Sequence, residues 1–487
     1  MTTEVNPFNR WAKTTAGLGQ LFPIRSEKVI RDALPSRLIP AEFSGHAFPM
    51  TYLDSAASTQ QSGIAREAIA GMPYANMHSS NYNAARAMTH AYQRAREVVL
   101  DFVGADPATH QVVFLGNGAT AACNRVARNL FCNPSDNPRK TVLFSQMEHH
   151  ANILPWRRYA ERTIGLPVGN KPGDPPLNVL LSWNRNQYAD VRLIAITLAS
   201  NVTGIVNDIA RIADVAHQIG AEVLVDAAQG LVHHWGINMQ NMGIDYLVAS
   251  GHKAYVRRAP GILVMPRRSS PKEADDMGGG IVRFVRMDGH ELAQDHEEAG
   301  TPNPLGAIGL AANLKSLKEI GMQNVWTHEK ELTQKLIAGF SGFSAITVYG
   351  DTDMKRTPRT GVVSFNIQDL YHAVVSKALS DYFNIATRNG CFCAQPYVAS
   401  LLGTSPQEQA AFEAATRRDD FSQTPGMVRA SLGMYTSEED IDRLLSAVGW
   451  LVENKRRIQQ EYFVNSNGEA LRHDGWEAIN PKEFSPI

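Results

Sequence analysis

The sequence predicts an α/β fold whose mainly parallel sheet is buried on both faces. The 487 residues are 44% hydrophobic and 20% charged, an ordinary globular composition that allows a large core. Short apolar runs alternate with helical stretches between residues 111 and 266. Several of these runs are continuously apolar, as in strands that helices cover on both sides.

The predicted elements follow in chain order. A strand-like MTYLDS precedes a helix over residues 91–103, and the later strands are predicted at QVVFLG, TVLFS, VRLIAITLAS, AEVLVDAAQ, DYLVAS and GILVMP. The stretch NDIARIADVAHQIG predicts a connecting helix, because Ile209, Ile212, Ala213 and Ala216 share one face.

The segment GTPNPLG interrupts this rhythm and indicates a domain boundary. A helix follows in AIGLAANLKSLKEIG, then a predicted strand VVSFNI and a predicted helix SEEDIDRLLSAVGWLVENK, where Ser437 and Asp440 have capping-box spacing. We expect an N-terminal arm over residues 1–48, a large domain over 49–309, a smaller α+β domain over 310–456 and a C-terminal surface tail over 457–487.

Charge, hydropathy and cysteine content limit the kinds of partner and the location that we expect. The net charge is −1 and no basic cluster with interleaved aromatics occurs, so we expect no nucleic-acid partner. No apolar stretch reaches the length of a membrane span, and we expect no membrane partner. The N-terminus has no secretory apolar core, and four cysteines are too few for a disulfide scaffold, which favours reduced thiols and a cytoplasmic location.

Lys253 is the most unusual residue, because SGHK places an amine where the apolar strand DYLVAS ends. Other strand ends also carry chemistry. FLGNGATAACN predicts a phosphate-binding turn or a plain turn, and Asp226 ends an apolar strand. Lys253 and Asp226 form either a structural ion pair or part of a site.

The paired histidines of SQMEHHANILPW suggest a metal site at first. Adjacent residues on a strand point to opposite faces, so His149 and His150 do not share an ion easily. One histidine is better suited to lie on a flat cofactor ring, and the other is structural. Pyridoxal phosphate satisfies all four strand ends, since it has a phosphate, a flat ring, a pyridinium nitrogen and an aldehyde that reacts with lysine.

Nine stretches in order resemble the class-V aminotransferase family of pyridoxal-phosphate enzymes, and most closely its cysteine desulfurase and selenocysteine lyase group. They are YLDSAAST, ANMHS, EHHANILPW, SNVTG, VDAAQ, SGHK, EAGTPN, RNGCFCAQP and RASLGMYTSEEDID. The resemblance implies fold type I: a large domain with a mainly parallel seven-stranded sheet and a smaller C-terminal α+β domain.

The resemblance also assigns cofactor-binding residues: Gly118, Ala119, Thr120, His149, Asn201, Asp226, Gln229, Ser250, His252, Lys253 and Thr301. Lys253 would form the imine and move the Cα proton, Asp226 would pair with the pyridinium nitrogen, and Gln229 would lie near the ring hydroxyl. His149 would stack on the ring as a third catalytic residue beside Lys253 and Cys393.

The phosphate and substrate contacts follow from the same resemblance. Thr120, Ser250 and His252 would hold the phosphate, and Thr301 would reach the phosphate of the neighbouring subunit, which implies a homodimer with shared sites. The residues implied at the amino-acid substrate are His78, Asn201, Arg388 and Arg429. Arg429 would bind the substrate carboxylate, a task that suits guanidinium.

The stretch ATRNGCFCAQPYV bears on the type of chemistry. Cys393 matches the cysteine that takes sulfur as a persulfide before an acceptor protein receives it. Cys391, Phe392, Ala119 and the loop AYVRRAPG depart from the usual pattern, and they leave the substrate and acceptor open. The two cysteines are alternatively half of a zinc site, which lacks two further ligands, or a pair that forms a disulfide or relays sulfur.

The function that these residues predict is cysteine desulfuration, which converts L-cysteine to L-alanine through a persulfide on Cys393. One alternative keeps the cofactor: a class-V lyase, epimerase or aminotransferase that acts on another amino acid or a cysteine conjugate without a persulfide. A second alternative, a silent scaffold, has no use for Lys253, Asp226, Gln229 and Arg429 together. We expect no metal.

Overall fold

The computed structural model describes residues 50–73, 75–77, 81–132, 137–168, 188–271, 273–294 and 296–475. The predicted arm over residues 1–48 and the predicted substrate residue His78 lie outside the described residues.

Strands and helices alternate through most of the described chain. The strands are β1 Thr51–Tyr52, β2 His110–Leu115, β3 Thr141–Ser145, β4 Arg162–Leu166, β5 Val191–Thr197, β6 Glu222–Asp226, β7 Tyr246–Ser250, β8 Gly261–Pro266, β9 Val282–Arg286, β10 Gly289–Leu292, β11 Ile346–Val348, β12 Val362–Ile367, β13 Ile385–Ala386, β14 Arg388–Gly390, β15 Met427–Ser431, β16 Tyr462–Val464 and β17 Ala470–Arg472. The described α-helices are α1 Gly63–Ala70, α2 Asn83–Val103, α3 Gly118–Phe131, α4 Leu154–Tyr159, α5 Ile209–Gln218, α6 Pro304–Ile320, α7 Met322–Ser341, α8 His372–Phe383, α9 Gln395–Leu402, α10 Pro406–Thr416, α11 Glu438–Glu453 and α12 Lys455–Glu461.

The central sheet has seven strands in the order β2-β8-β7-β6-β5-β3-β4. Only β8 runs antiparallel to its neighbours β2 and β7, and the other pairs are parallel. The predicted mainly parallel seven-stranded sheet is therefore confirmed. Its strands β3, β7 and β8 are buried along their whole length, which explains their continuous apolar sequences.

Helix boundaries follow local signals. The helix α5 buries the four residues predicted to share its face. Ser437 and Asp440 form both halves of a capping box at the start of α11, as their spacing predicts. The helix α2 begins at Asn83, earlier than predicted, because Ala85 and Met88 extend its buried face by two turns.

A second, smaller sheet has the order β11-β12-β15-β14 and its own apolar core with helices α7, α8 and α11. Residues that precede the large sheet in the chain also contribute to this region. The strand β1 pairs in parallel with β13, and Leu53 is part of the smaller core. The segment YLDSAAST therefore lies between the two sheets, where it can reach both.

The last described residues fold back on helix α8. The strands β16 and β17 form an antiparallel hairpin, and Tyr462 in β16 is buried and donates a hydrogen bond to Asp381 at 2.9 Å. Among the described helices, none combines the length and the apolar character that crossing a bilayer requires.

Candidate active site

The carboxyl ends of the sheet strands bring the predicted residues together. Asp226 and Ser250 are the last residues of β6 and β7, and His149 and Asn201 follow β3 and β5. The sequence distance between these residues does not matter here, because parallel strands end at one edge of the sheet. The candidate site lies along this edge and faces the smaller sheet.

Lys253 ends a short 3₁₀ turn, Gly251–Lys253, that directly follows β7. Burial lowers the pKa of this amine to about 8, against the opposing effect of the Asp226 carboxylate and with a further lowering by Arg429. A lysine with such a pKa is partly neutral near physiological pH, so it can act as a nucleophile and as a base.

Asp226 is buried, and its Oδ1 accepts a hydrogen bond from the backbone N–H of Ala228 at 2.9 Å. Burial raises the pKa of this carboxyl, while Ala228 and Lys253 lower it. The nearby Gln229 is also buried and donates from Nε2 to the carbonyl of Ala56 at 2.7 Å. A cationic ring nitrogen beside Asp226 would offset the cost of the buried carboxylate.

The two histidines lie after strand β3 and not on a strand. Strand geometry is therefore the wrong reason for expecting that they do not share a metal ion. His149 caps the 3₁₀ turn His150–Asn152, and its Nδ1 accepts the N–H of Ala151 at 3.0 Å. Burial lowers the pKa of His149 to about 4, with further lowering by Lys253. Its ring is thus neutral, as a ring that lies on a cofactor should be.

Buried Glu148 holds this histidine segment against the sheet. Its carboxylate accepts hydrogen bonds from the N–H of Thr197 at 2.9 Å and from Asn152 Nδ2 at 2.6 Å. The side chain of Asn152 also accepts the indole N–H of Trp156 at 3.1 Å. These contacts explain why EHHAN, with its polar residues, follows a buried strand.

The start of α3 is the turn for which the sequence allowed phosphate binding or a plain turn. Gly118 has φ +60°, and a Cβ there would lie 2.7 Å from Ser250 Oγ. Ser250 Oγ accepts the N–H of Ala119 at 2.9 Å, and His252 Nδ1 lies 3.3 Å from Ser58 Oγ. Thr120 is exposed on the first turn of this 14-residue helix, whose amides favour an anion.

Asp54 pairs with both predicted substrate arginines, although the sequence motifs indicated no role for this residue. Its carboxylate accepts hydrogen bonds from Arg388 Nη2 at 2.9 Å and from Arg429 Nη2 at 3.2 Å. Arg429 is buried and also donates from Nη1 to the carbonyl of Asn201 at 3.0 Å. A carboxylate at the end of a short strand, like that of Asp226, was the available signal for Asp54.

Burial lowers the pKa of Arg429 to about 10, although Asp54 opposes this effect. The Nε of Arg429 is buried and has no hydrogen-bond partner among the described residues. A buried guanidinium with an unpartnered donor is costly, and a carboxylate is the group that best matches a guanidinium.

Cys393 is exposed on a tight turn between β14 and α9. The N–H of Ala394 donates to the carbonyl of Cys391 at 2.9 Å, and Phe392 and Cys393 have φ of +54° and +55°. Two left-handed central residues are typical of a type I′ turn. Because neither is glycine, each conformation costs about 1–2 kcal/mol, which contacts outside the turn must offset.

The thiol of Cys393 lies close enough to three cationic groups to affect their pKa values: Lys253, Arg388 and Arg429. Phe392 fixes the turn beside them, since its ring lies 4.6 Å from the guanidinium carbon of Arg429 and its carbonyl accepts Asn201 Nδ2 at 2.8 Å. The turn therefore holds the thiol beside positively charged groups.

The other cysteines are placed differently. Cys391 is partly buried against the apolar cluster that contains Tyr397, and burial raises the pKa of its thiol. Cys123 is buried on α3, and Cys132 is exposed at the end of that helix. Within the described residues, no group of three His, Cys, Asp or Glu side chains could hold a metal ion.

Within this single chain, Thr301 lies apart from the other predicted site residues that the structure describes. It is exposed, and it precedes α6 in a turn where Asn303 Nδ2 donates to the carbonyl of Arg258 at 2.6 Å. Its assignment to a neighbouring subunit's site stays a prediction.

Comparisons with known proteins place these observations in a family. The model of the family "Aminotransferase class-V" matches residues 51–444. A cysteine desulfurase of Escherichia coli O9:H4 (strain HS) is 32% identical over 411 residues, which are 83% of this chain and 93% of that protein. A cysteine desulfurase of Enterobacter sp. (strain 638) is 33% identical over 439 residues, 88% of this chain and 98% of that protein.

Two solved structures are similar along most of the chain. The crystal structure of a cysteine desulfurase from Escherichia coli, in an S-sulfonic acid form, has a TM-score of 0.71 at 27% identity and covers 88% of this chain and 99% of its own. The apo structure of a cysteine desulfurase from Thermococcus onnurineus NA1 has a TM-score of 0.73 at 25% identity and covers 89% and 100%.

Proposed function

The chain belongs to the class-V aminotransferase family, and from this premise we propose that it is a pyridoxal-phosphate-dependent cysteine desulfurase. The enzyme converts L-cysteine to L-alanine and keeps the sulfur as a persulfide on Cys393. The observation that carries this proposal is the exposed Cys393, held on a strained turn beside the cations Lys253, Arg388 and Arg429.

The residues at the sheet edge fit pyridoxal phosphate. Lys253 has the lowered pKa that attachment to an aldehyde requires, and buried Asp226 matches a pyridinium nitrogen. His149 and Gln229 are the neighbours of the ring in this proposal. The turn at Gly118 would hold the phosphate group: an added Cβ at Gly118 would meet Ser250, and Ala119, Thr120 and His252 would add polar contacts.

When bound, the cofactor supplies an electron sink for the bonds at the substrate Cα. The protein residues do the remaining work. Lys253 removes the Cα proton and returns it, and a pKa of about 8 keeps enough of the amine neutral to act as a base. The buried position of Asp226 keeps water from competing for its partner.

Arg429 binds the substrate carboxylate, with Asn201 beside it. Asp54 already pairs with Arg429, so the buried guanidinium is oriented before substrate enters. Arg388 is half exposed and also pairs with the carboxylate of Asp54, which places Arg388 at the mouth of the site. His78 remains a proposed substrate residue on the strength of the resemblance.

Cys393 then acts as the nucleophile. Its thiolate attacks the sulfur of the substrate and the Cβ–S bond breaks, with the electron pair of that bond left on Cβ. Cβ takes up a proton, so the three-carbon fragment leaves as alanine, and the sulfur stays on Cys393 as a persulfide. Arg388 and Arg429 lie beside the attacking thiol. An acceptor protein then takes the sulfur, since an exposed turn is open to a partner.

The proposal includes the assembly and location. The enzyme is a homodimer in which Thr301 of each chain serves the other site, which agrees with the exposure of Thr301 in one chain. A cytoplasmic location agrees with four free cysteines. Residues 49–309 and 310–456 form the large and small domains, with residues 51–52 as a strand that joins them.

The test compares Cys393→Ala with Cys132→Ala, a matched control at the end of α3. Both variants should bind pyridoxal phosphate and give its absorbance, but only Cys393→Ala should lose persulfide, by at least about 100-fold, because the other thiol of the turn, Cys391, is partly buried and burial raises its pKa. Mass spectrometry of the peptide over residues 386–398 and alanine assays measure both effects.

Two results would contradict the proposal. Persulfide-independent sulfide release with pyruvate in place of alanine would indicate the class-V lyase alternative. A wild-type rate of alanine formation in Cys393→Ala would remove the cysteine from the mechanism.

A further inference from the structure

The turn that carries Cys393 depends on a residue from a different part of the sheet edge. The N–H of His150 donates to the carbonyl of Cys393 at 2.7 Å. The N–H of Gln395 donates to Nε2 of the His150 ring at 3.3 Å. His150 thus holds the backbone at two points that follow the Cα of Cys393, while its own backbone starts the 3₁₀ turn His150–Asn152.

The strained turn needs contacts from outside to stabilise it, and these two hydrogen bonds are such contacts. Phe392 and Cys393 both have positive φ without being glycine, so the free turn would favour other conformations. Asn201 holds the carbonyl of Phe392, and His150 holds the part that follows, from Cys393 to the start of α9. The direction of the Cys393 side chain follows from this backbone.

The ring and the backbone of His150 contribute separately. Any residue at this position retains the backbone N–H, but only a side chain with an acceptor at the place of Nε2 can receive the N–H of Gln395. The geometry requires Nε2 to be the unprotonated nitrogen. Burial lowers the pKa of His150, and Arg157 adds to this effect, so the neutral ring is favoured.

The residue before His150 links this turn to the proposed cofactor site. His149 lies on the cofactor side in the proposed function, and the rings of His149 and His150 have centroids 6.2 Å apart. A single peptide bond and a single hydrogen bond therefore separate the residue at the cofactor ring from the residue that carries the thiol.

We propose that His150 is a positioning residue that sets the distance between the Cys393 thiol and the bound substrate sulfur. This inference rests on the proposed function. His150 does not touch the substrate, and it acts through the carbonyl of Cys393 and the N–H of Gln395. It accounts for both histidines of EHHAN: His149 serves the cofactor and His150 serves the nucleophile.

Three substitutions separate the ring acceptor from general packing. His150→Leu removes the acceptor, and His150→Asn is polar but too short to place an oxygen at the Nε2 position. His150→Gln puts its amide oxygen near that position. We expect persulfide formation on Cys393 to fall by about 10- to 100-fold in the Leu and Asn variants and to stay within about threefold of wild type in the Gln variant, because small displacements of a reacting atom have effects of this size.

A second readout tests specificity. Exchange of the alanine Cα hydrogen with solvent deuterium, followed by NMR on the pyridoxal-phosphate enzyme, requires Lys253 but not Cys393. It should stay within about twofold of wild type in all three variants, since the cofactor side keeps its residues. The loss should appear in kcat for alanine formation from cysteine, with little change in KM.

The outcomes distinguish the hypotheses. Wild-type persulfide rates in the Leu and Asn variants would overturn the positioning role. An equal loss of persulfide and of Cα exchange in all three variants would also overturn it, since it would indicate a purely structural histidine. If the wild-type enzyme makes no persulfide from cysteine, the proposed function fails first, and the role of His150 falls with it.

Discussion

At the scale of single residues, the site consists of charged groups whose surroundings disfavour their charge. Burial lowers the pKa of Lys253 and of Arg429 and raises that of Asp226. Such residues are expensive in a core unless a ligand pairs with them, so their concentration at one sheet edge indicates a binding site.

Lys253 gives a prediction about pH. The rate at which the cofactor-free protein attaches pyridoxal phosphate should rise with pH and level off above about 8, because only the neutral amine reacts and its pKa is about 8. An ordinary lysine would give a rate that rises up to about pH 10. Absorbance stopped-flow at a series of pH values measures this.

Asp226→Asn supplies the control for this measurement. The Asp226 carboxylate raises the pKa of Lys253, so its removal should move the plateau to a lower pH. A plateau that stays above pH 10 in the unmodified protein would show that Lys253 is not in the environment described.

At the scale of elements, most of what positions the site could be predicted from local patterns. The six apolar runs that follow α2 are all strands, the α5 face is buried as expected, and the capping box of α11 is complete. These features depend on residues within a few positions of one another, so a single sequence carries enough information for them.

The contact between β8 and the start of α3 was not predictable. Gly261 begins β8 between Leu115 of β2 and Ser250 of β7, and a Cβ on it would lie 2.4 Å from the carbonyl oxygen of Gly118. Nothing near Gly261 in the sequence indicates this neighbour. The close approach brings the turn at Gly118, the proposed phosphate site, onto the sheet edge.

Gly261→Ala should therefore weaken cofactor binding. The added methyl group must displace the backbone at Gly118, at a cost of about 1–3 kcal/mol, which corresponds to roughly 5- to 150-fold in the Kd for pyridoxal phosphate. Gly165→Ala is the control, because Gly165 lies on the edge strand β4 and the nearest heavy atom to its added Cβ is in the Phe144 ring at 3.4 Å, an ordinary contact distance. Equal affinities of the two variants in absorbance titrations would argue against a phosphate site at this turn.

At the scale of the whole molecule, the single chain leaves an apolar hairpin without a partner among the described residues. The strands β9 and β10 pair only with each other, and Phe284, Val285 and Met287 are exposed. Exposed apolar side chains in a group mark a contact surface. Thr301 follows this hairpin in the chain, which agrees with the proposed dimer.

Val285→Asp tests the dimer. The buried, unpaired carboxylate should weaken dimerisation by at least about tenfold, as measured by sedimentation across a range of concentrations. Phe463→Asp is the matched control, since it also changes an exposed apolar residue on a hairpin, far along the chain. A monomeric unmodified protein, or equal dimerisation of both variants, would contradict the proposed assembly.

The sequence alone determined the class of fold, the order of strand and helix, and the residues at Lys253, Asp226 and Cys393, because periodic patterns and short motifs carry these features locally. Only the tertiary structure decided which distant residues meet. Asp54 pairs with Arg429 across 375 positions, and His150 meets Gln395 across 245. Such contacts depend on the path of the backbone through two sheets, to which residues far apart in the chain contribute together, and no local pattern records that path.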